Sequence, residues 1–178
     1  TGLTDHAEDI KAWYDGYHFG EFDIYCPWDV MNYLQDLQFD PSKKPVSYWK
    51  NTSDNAIIRS FIDYSGPSIS KKLELLLSGG YIVQTIEEDL TYDYLHSSED
   101  NLWSILYLTG YLTRVREIPD SDGALALTIP NAEVKEIFRS TIQKWFKDSS
   151  QTWNRQAMFQ ALWAGDSETL TKEIGKLL

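Results

Sequence analysis

The 178-residue chain contains one cysteine, Cys26, and three histidines, His6, His18 and His96, set far apart. A single cysteine excludes an intrachain disulfide and a cysteine metal cluster, and it fits a reducing, cytoplasmic setting. Asp15 and His18 are near enough in sequence to share a metal, but Gly16 between them marks a turn and no third ligand follows, so no metal site is expected. No apolar run approaches the length needed to cross a bilayer and no signal peptide is visible, so no membrane partner is expected. The loop holding Gly16 and Gly20 lacks the Gly-Lys-Ser/Thr ending of a phosphate-binding loop. A nucleophile elbow is missing too, and the carboxylate pairs Glu87-Glu88 and Asp120/Asp122 sit in a charge run and a turn, where carboxylates face water. Cys26 beside Pro27 reads as a small buried hydrophobe rather than a nucleophile. No catalytic residue is expected, and the chain by itself does not read as an enzyme.

Positive charge is also scarce. Sixteen Lys and Arg face twenty-seven Asp and Glu, a net charge of −11, and the stretch from Tyr81 to Asn101 carries six acids and no Lys or Arg. Such a surface repels phosphate backbones. What the chain has in quantity is rings: seven Trp, eleven Tyr and seven Phe. With 42% apolar residues this is ample material for a packed core.

The best-defined stretch runs from Asn101 to Phe146. Leu102, Ile105, Leu106 and Leu108, with Trp103 and Tyr107, predict a helix buried on most sides, stopped by Gly110. Tyr111 to Glu117 and Ala124 to Ile129 read as a strand pair joined by turn formers at Pro119 to Gly123. Asn131 is a good N-cap for a second helix, Ala132 to Phe146, whose Val134, Ile137, Phe138, Thr141, Ile142 and Trp145 share one face. The fold class expected is therefore mostly α (α+β), a helical bundle with a winged-helix-like helix–β-hairpin–helix unit.

Around this unit, helices are predicted at Thr4 to Tyr14, from Pro27 to Leu37, at Asp54 to Tyr64 with Ser53 as cap, and at Ile69 to Leu77, closed by Gly79-Gly80. A short strand is expected at Phe22 to Cys26 and an extended piece at Tyr81 to Ile86. After a polar link, Lys147 to Thr152, two more helices are expected, Trp153 to Trp163 and Ser167 to Leu178. These group into a helical subdomain (1–80), the winged-helix-like unit (81–147) and a C-terminal helical pair (148–178). The start at Thr1 and the halt in mid-pattern at Leu178 lead us to expect a piece of something longer.

Four motifs then stand out in order: Trp13-Tyr14-Asp15-Gly16-Tyr17, Tyr25-Cys26-Pro27-Trp28, Tyr48-Trp49-Lys50-Asn51-Thr52-Ser53 and Ile129-Pro130-Asn131-Ala132-Glu133-Val134. Together they resemble the bacterial AAA-ATPase-like proteins that carry a C-terminal PD-(D/E)XK nuclease-like domain, over Ile10 to about Leu178. Cys26 departs from the family pattern, which has Asn there. The resemblance implies that this chain is the lid and winged-helix region following the ATPase core, a noncatalytic connector. Its partners would be the ATPase and nuclease-like domains of the same polypeptide, with ATP and magnesium belonging to the longer parent and no cofactor here. A lid of this kind often supplies an arginine to phosphates; Arg59, Arg114, Arg116, Arg139 and Arg155 are the candidates. The rings crowded into the first third suggest an interdomain patch of Trp13, Tyr14, Asp15, Gly16, Tyr17, Phe19, Pro27 and Trp28. The alternative is a nucleic-acid or protein-interaction module, with Lys135, Arg139 and Lys144 as the nucleic-acid face of a recognition helix.

Overall fold

The computed structural model describes residues 4–19, 21–51, 57–58, 67–90, 98–120, 123–152 and 155–175. Its contacts divide the chain into two compact units, Thr1–Thr141 and Ile142–Leu178. The chain is mostly helical, with two small antiparallel sheets.

In the first unit a single 3-10 turn, Thr4–His6, leads into α1 (Ala7–Tyr14). A hairpin follows, β1 (Tyr17–Phe19) against β2 (Phe22–Ile24), with Tyr17 opposite Ile24. The strand stops short of the expected Cys26 because the Cys26 amide turns away to donate to the Tyr14 carbonyl at 2.8 Å. Pro27 then occupies the first turn of α2 (Pro27–Phe39), where its missing N–H costs nothing. Tyr14, Tyr33 and Leu37 form a core between α1 and α2, flanked by Ile10, Trp13, Val30 and Tyr48. Each buried phenol is satisfied: Tyr14 donates to the Val46 carbonyl at 3.0 Å and Tyr33 to that of Lys43 at 3.0 Å, pinning the loop after α2 onto the pair.

Of the helix expected at Asp54 to Tyr64 only Ile57 and Ile58 are described, both helical, with Ile58 buried; its cap Ser53 lies outside the described residues. Helix α3 (Pro67–Leu77) and strand β3 (Ile82–Thr85) follow. Helix α4 (Glu99–Leu108) begins three residues earlier than expected, because Ser98 Oγ accepts the Asn101 amide at 3.1 Å and Glu99 and Asp100 suit the positive end of the helix. The end of the acidic stretch is thus not simply solvated. Glu99 takes Lys72 Nζ at 2.7 Å, and Gln84 receives Lys72 at 2.9 Å while bonding Asp100, which ties α3, β3 and α4 together.

The second sheet has the order β3-β5-β4, with β5 (Ala124–Thr128) central and β4 only Thr113–Arg114. The strand expected from Tyr111 is shorter for a clear reason. Gly110 closes α4 with φ +83°, the Leu112 amide bonds back to the Leu106 carbonyl at 3.0 Å, and Tyr111 and Leu112 turn into the core. The helix–hairpin–helix order is present, but the hairpin is a minor part of a three-stranded sheet that recruits β3. Helix α4 is packed through Leu102, Trp103, Ile105 and Leu106 rather than offered to solvent.

Helix α5 (Ala132–Thr152) is capped by Asn131, whose Oδ1 accepts the Val134 amide at 3.0 Å. It does not end near Phe146: with no Pro or Gly between Lys147 and Thr152, the expected polar link continues as helix and the chain passes from one unit into the other within it. In the second unit α6 (Arg155–Ala164) and α7 (Ser167–Gly175) pack on one another, joined at Gly165 (φ +65°) with the Asp166 amide returning to the Ala161 carbonyl at 2.9 Å. Trp153 and Lys176 to Leu178 lie outside the described residues.

One contact positions everything treated below. Gly16 has φ +103°, and a Cβ on it would sit 2.1 Å from the Pro130 carbonyl oxygen. Both the backbone angle and the space require glycine. Gly16→Ala is expected to destabilise the fold by on the order of 3 kcal/mol, read from urea unfolding. A loss below about 1 kcal/mol would show that the loop moves freely away from Pro130.

Candidate functional site

The four motifs singled out in the sequence converge in the first unit. Asn131, at the start of α5, donates from Nδ2 to the Asp15 carbonyl at 2.9 Å. The Tyr17 hydroxyl reaches the Gly110 carbonyl at 2.9 Å, and burial raises its pKa above the ordinary phenol range. Trp49 stacks on Tyr111, rings 4.8 Å apart and 15° from parallel, and Tyr111 in turn meets Phe138 edge-on. Segments expected to belong to separate subdomains are thereby joined through aromatic rings and backbone carbonyls.

At the centre is a feature that sequence reasoning missed. Glu133 lies in the first turn of α5, where the helix dipole favours an acid facing solvent. It is instead 1% exposed, and its Oε1 accepts the Trp49 amide at 2.9 Å. Beside it lies Asp29 of α2, 0% exposed. Burial, followed by the neighbouring Asp29 charge, pushes the Glu133 carboxyl up to about 7, whereas the Trp49 amide acts in the opposite direction. Glu133 therefore keeps its proton toward neutrality.

Asp29 is stranded by the same local geometry. At the third position of a helix, an acidic side chain ordinarily reaches back to the N-cap amide. Here the N-cap is Cys26, and its amide is already given to Tyr14. No backbone amide among the described residues reaches either Asp29 oxygen, and the polar groups that face it are the Cys26 thiol and the Glu133 carboxyl. The Cys26 thiol faces this acid and is pushed up to about 12, first by burial and then by Asp29, so it is no thiolate nucleophile.

A cleft of ≈ 460 Å³ opens over Asp29, walled by Tyr17, Trp28, Trp49 and Gly110. Trp28 stands at its mouth, 60% exposed. The periodicity held a clue to both acids. Asp29, Tyr33 and Leu37 are spaced by four along α2, as are Glu133 and Ile137 on α5, so each carboxylate sits in a buried stripe.

The other expected residues are distributed as follows. Tyr14 is core rather than patch, fully buried, with burial raising its pKa well above the phenol range. Trp13 is half-buried against that core, and Asp15 and Gly16 are held at the Pro130–Asn131 connection. Phe19 is placed in β1, but its side chain lies outside the described residues; Pro27 is exposed. His18 does not approach a metal with Asp15: its Nδ1 lies 2.8 Å from Asp23 Oδ1, and the Arg116 guanidinium reaches both. Among the described residues no group of three or more His, Cys, Asp and Glu is placed to hold a metal. His96 lies outside them.

Arg114 pairs with Asp120 at 3.0 Å and Arg116 with Asp23 at 2.8 Å, while Arg139 is exposed. Arg59 and the Arg155 side chain fall outside the described residues, as do Ser121 and Asp122 of the hairpin tip. Lys135 and Arg139 belong to the first unit and Lys144 to the second. No helix among the described residues is long and apolar enough to cross a membrane. Comparisons with protein-family models, with curated proteins and with solved structures returned no match.

The raised Glu133 carboxyl has a measurable consequence. An unfolded glutamate ionises near 4.5, so between there and about 7 the folded chain keeps a proton that the unfolded chain releases. Stability from this group is therefore full below about 4.5 and is lost as pH rises toward 7. Glu133→Gln keeps an acceptor for the Trp49 amide but cannot ionise. Between pH ~5 and ~7.5 its stability relative to the parent chain is expected to rise by about 2 kcal/mol in urea unfolding. A difference that stays constant with pH would refute the assignment.

Proposed function

We propose that this chain is the noncatalytic lid and connector region of a cytoplasmic AAA-type ATPase of the kind its motifs resemble, lying between a P-loop core and a PD-(D/E)XK nuclease-like domain of the same polypeptide. The observation that carries the reading is an apolar surface on β2 and the first turns of α2. Phe22 is 75% exposed and Met31 66% exposed, with Ile24, Tyr25 and Trp28 beside them in the chain. Phe22 and Ile24 alternate onto one side of β2, and Trp28 and Met31 lie three apart on α2, so each pair shares a face. Large rings and aliphatic chains left in water at this density mark a surface that another protein covers. ATP and magnesium belong, in this reading, to the neighbouring core.

The buried Asp29–Glu133 pair does not turn the chain into an enzyme. Both acids are sealed from solvent, the adjacent thiol is held protonated, and Glu133 is engaged by a backbone amide. Nucleic-acid binding is the lesser reading, given a net charge of −11 and hairpin arginines paired with acids.

Reading the coding sequence on both sides of this stretch is the direct test. A Gly-Lys-Ser/Thr loop upstream and a PD-(D/E)XK pattern downstream are expected; finding neither overturns the proposal. The chain alone is expected to hydrolyse ATP at background rate. Turnover above background that disappears in Glu133→Gln would instead make the acid pair catalytic.

A further inference from the structure

We infer that the Asp29–Glu133 pair is a proton-operated latch: while Glu133 holds its proton it ties the first turn of α2 to the start of α5 beneath the cleft, and losing that proton drives the pair apart and opens the cleft floor to water. The two acids stand on separate elements, face one another, and are 0% and 1% exposed. Carboxylates offer only acceptors, so two of them have a hydrogen bond to share only while one keeps a proton to donate. Around the pair stand the Cys26 thiol ahead of α2, the Tyr14 phenol of α1, the Tyr17 phenol of β1, and the Tyr48 phenol and Trp49 amide of the segment before Asn51. All of these are neutral. On α5 itself Lys135, two positions on, lies round the opposite side of the helix, and Glu136, one turn on, is exposed. No Lys, Arg or His among the described residues forms an ion pair with either acid.

Once the proton leaves, two like charges face each other in the interior with nothing of opposite sign between them, an arrangement that burial makes costly. The two ends of the pair are not held alike. Glu133 is fixed: Pro130 abuts Gly16, Asn131 holds the Asp15 carbonyl, and the Trp49 amide donates to a carboxylate more strongly than to a carboxylic acid. Asp29 instead lies at the cleft floor, in the first turn of a helix whose Cys26 N-cap makes no side-chain bond and whose Trp28 is already exposed. The first turn of α2 is therefore the moving part. Displacing it brings water to Asp29 without unmaking the core around Tyr33 and Leu37, one and two turns further along. Burial, with Asp29 beside it, pushes the Glu133 carboxyl up to about 7, so the latch is closed below neutrality and released above it. The latch does not depend on what docks on β2 and α2, although Trp28 and Met31 of that surface ride on the start of α2.

The test uses the full chain, labelled with nitrogen-15 and carbon-13 and titrated by NMR from pH ~5.5 to ~8.5. The Glu133 carboxyl carbon and the indole N–H resonances of Trp28 and Trp49 are expected to share one midpoint near 7. Across it the Val30 amide, which makes the first hydrogen bond of α2 to the Cys26 carbonyl, is expected to exchange with water about tenfold faster than base catalysis alone predicts, while the Leu37 amide does not. Glu133→Gln and Asp29→Asn are each expected to abolish the shared transition and keep Val30 protected throughout. Should neither variant fold, the parent titration decides: Trp28 and Trp49 resonances that ignore the Glu133 midpoint, or that follow His6 or His18 instead, overturn the inference. A transition that persists in either folded variant does so as well. The urea measurement on Glu133→Gln reports only the proton, so a raised carboxyl beside a motionless α2 would sink the latch alone.

Discussion

The first turn of α5 is the point on which the first unit depends. Three residues at this helix start do separate jobs. The Pro130 carbonyl abuts Gly16, Asn131 caps the helix with one side-chain atom and holds the Asp15 carbonyl with another, and two residues on Glu133 receives the Trp49 amide. Each bond is worth only about 1 kcal/mol net, but the groups are buried, so losing one leaves an unmet donor or acceptor rather than a hydrated one. The helix start is therefore also the junction of the Trp13–Tyr17 loop and the Tyr48–Asn51 turn.

This junction accounts for the site as well as the fold. Drawing the chain so tightly around Tyr14 commits the Cys26 amide, and that commitment leaves Asp29 facing the Cys26 thiol and the Glu133 carboxyl instead of a backbone donor. Glu133 is then buried next to a second acid and retains its proton more strongly than an exposed glutamate. Residues forced into such positions are where stability gives way to recognition or chemistry. The aromatic content follows the same division. Tyr14, Tyr33 and Tyr111 are sealed into the core, whereas Phe22 and Trp28 are left in water.

Much of the architecture was legible beforehand. The periodic stripe from Val134 to Phe138, the Asn131 cap, the Gly110 stop and the turn formers before Ala124 each state a local preference strong enough to survive packing. Departures occurred where long-range bonds outcompeted local pattern. Tyr111 and Leu112 left the strand because the core took their side chains and α4 took an amide, and the acids at Glu99 and Asp100 are tied to α3 and β3 because Lys72 and Gln84 meet them. Lys147 to Thr152 stayed helical for want of a residue to stop it.

By itself the sequence determined the class of structure and the helix boundaries set by Pro27, Gly110 and Asn131, because capping, turn chemistry and periodicity act over a few residues. Only the tertiary structure decided that Tyr14 is interior, that Trp28 is exterior, and that Asp29 and Glu133, more than a hundred positions apart, meet beneath an aromatic cleft. Those outcomes depend on which backbone amides are already spent elsewhere, a quantity that exists only once the chain has closed on itself.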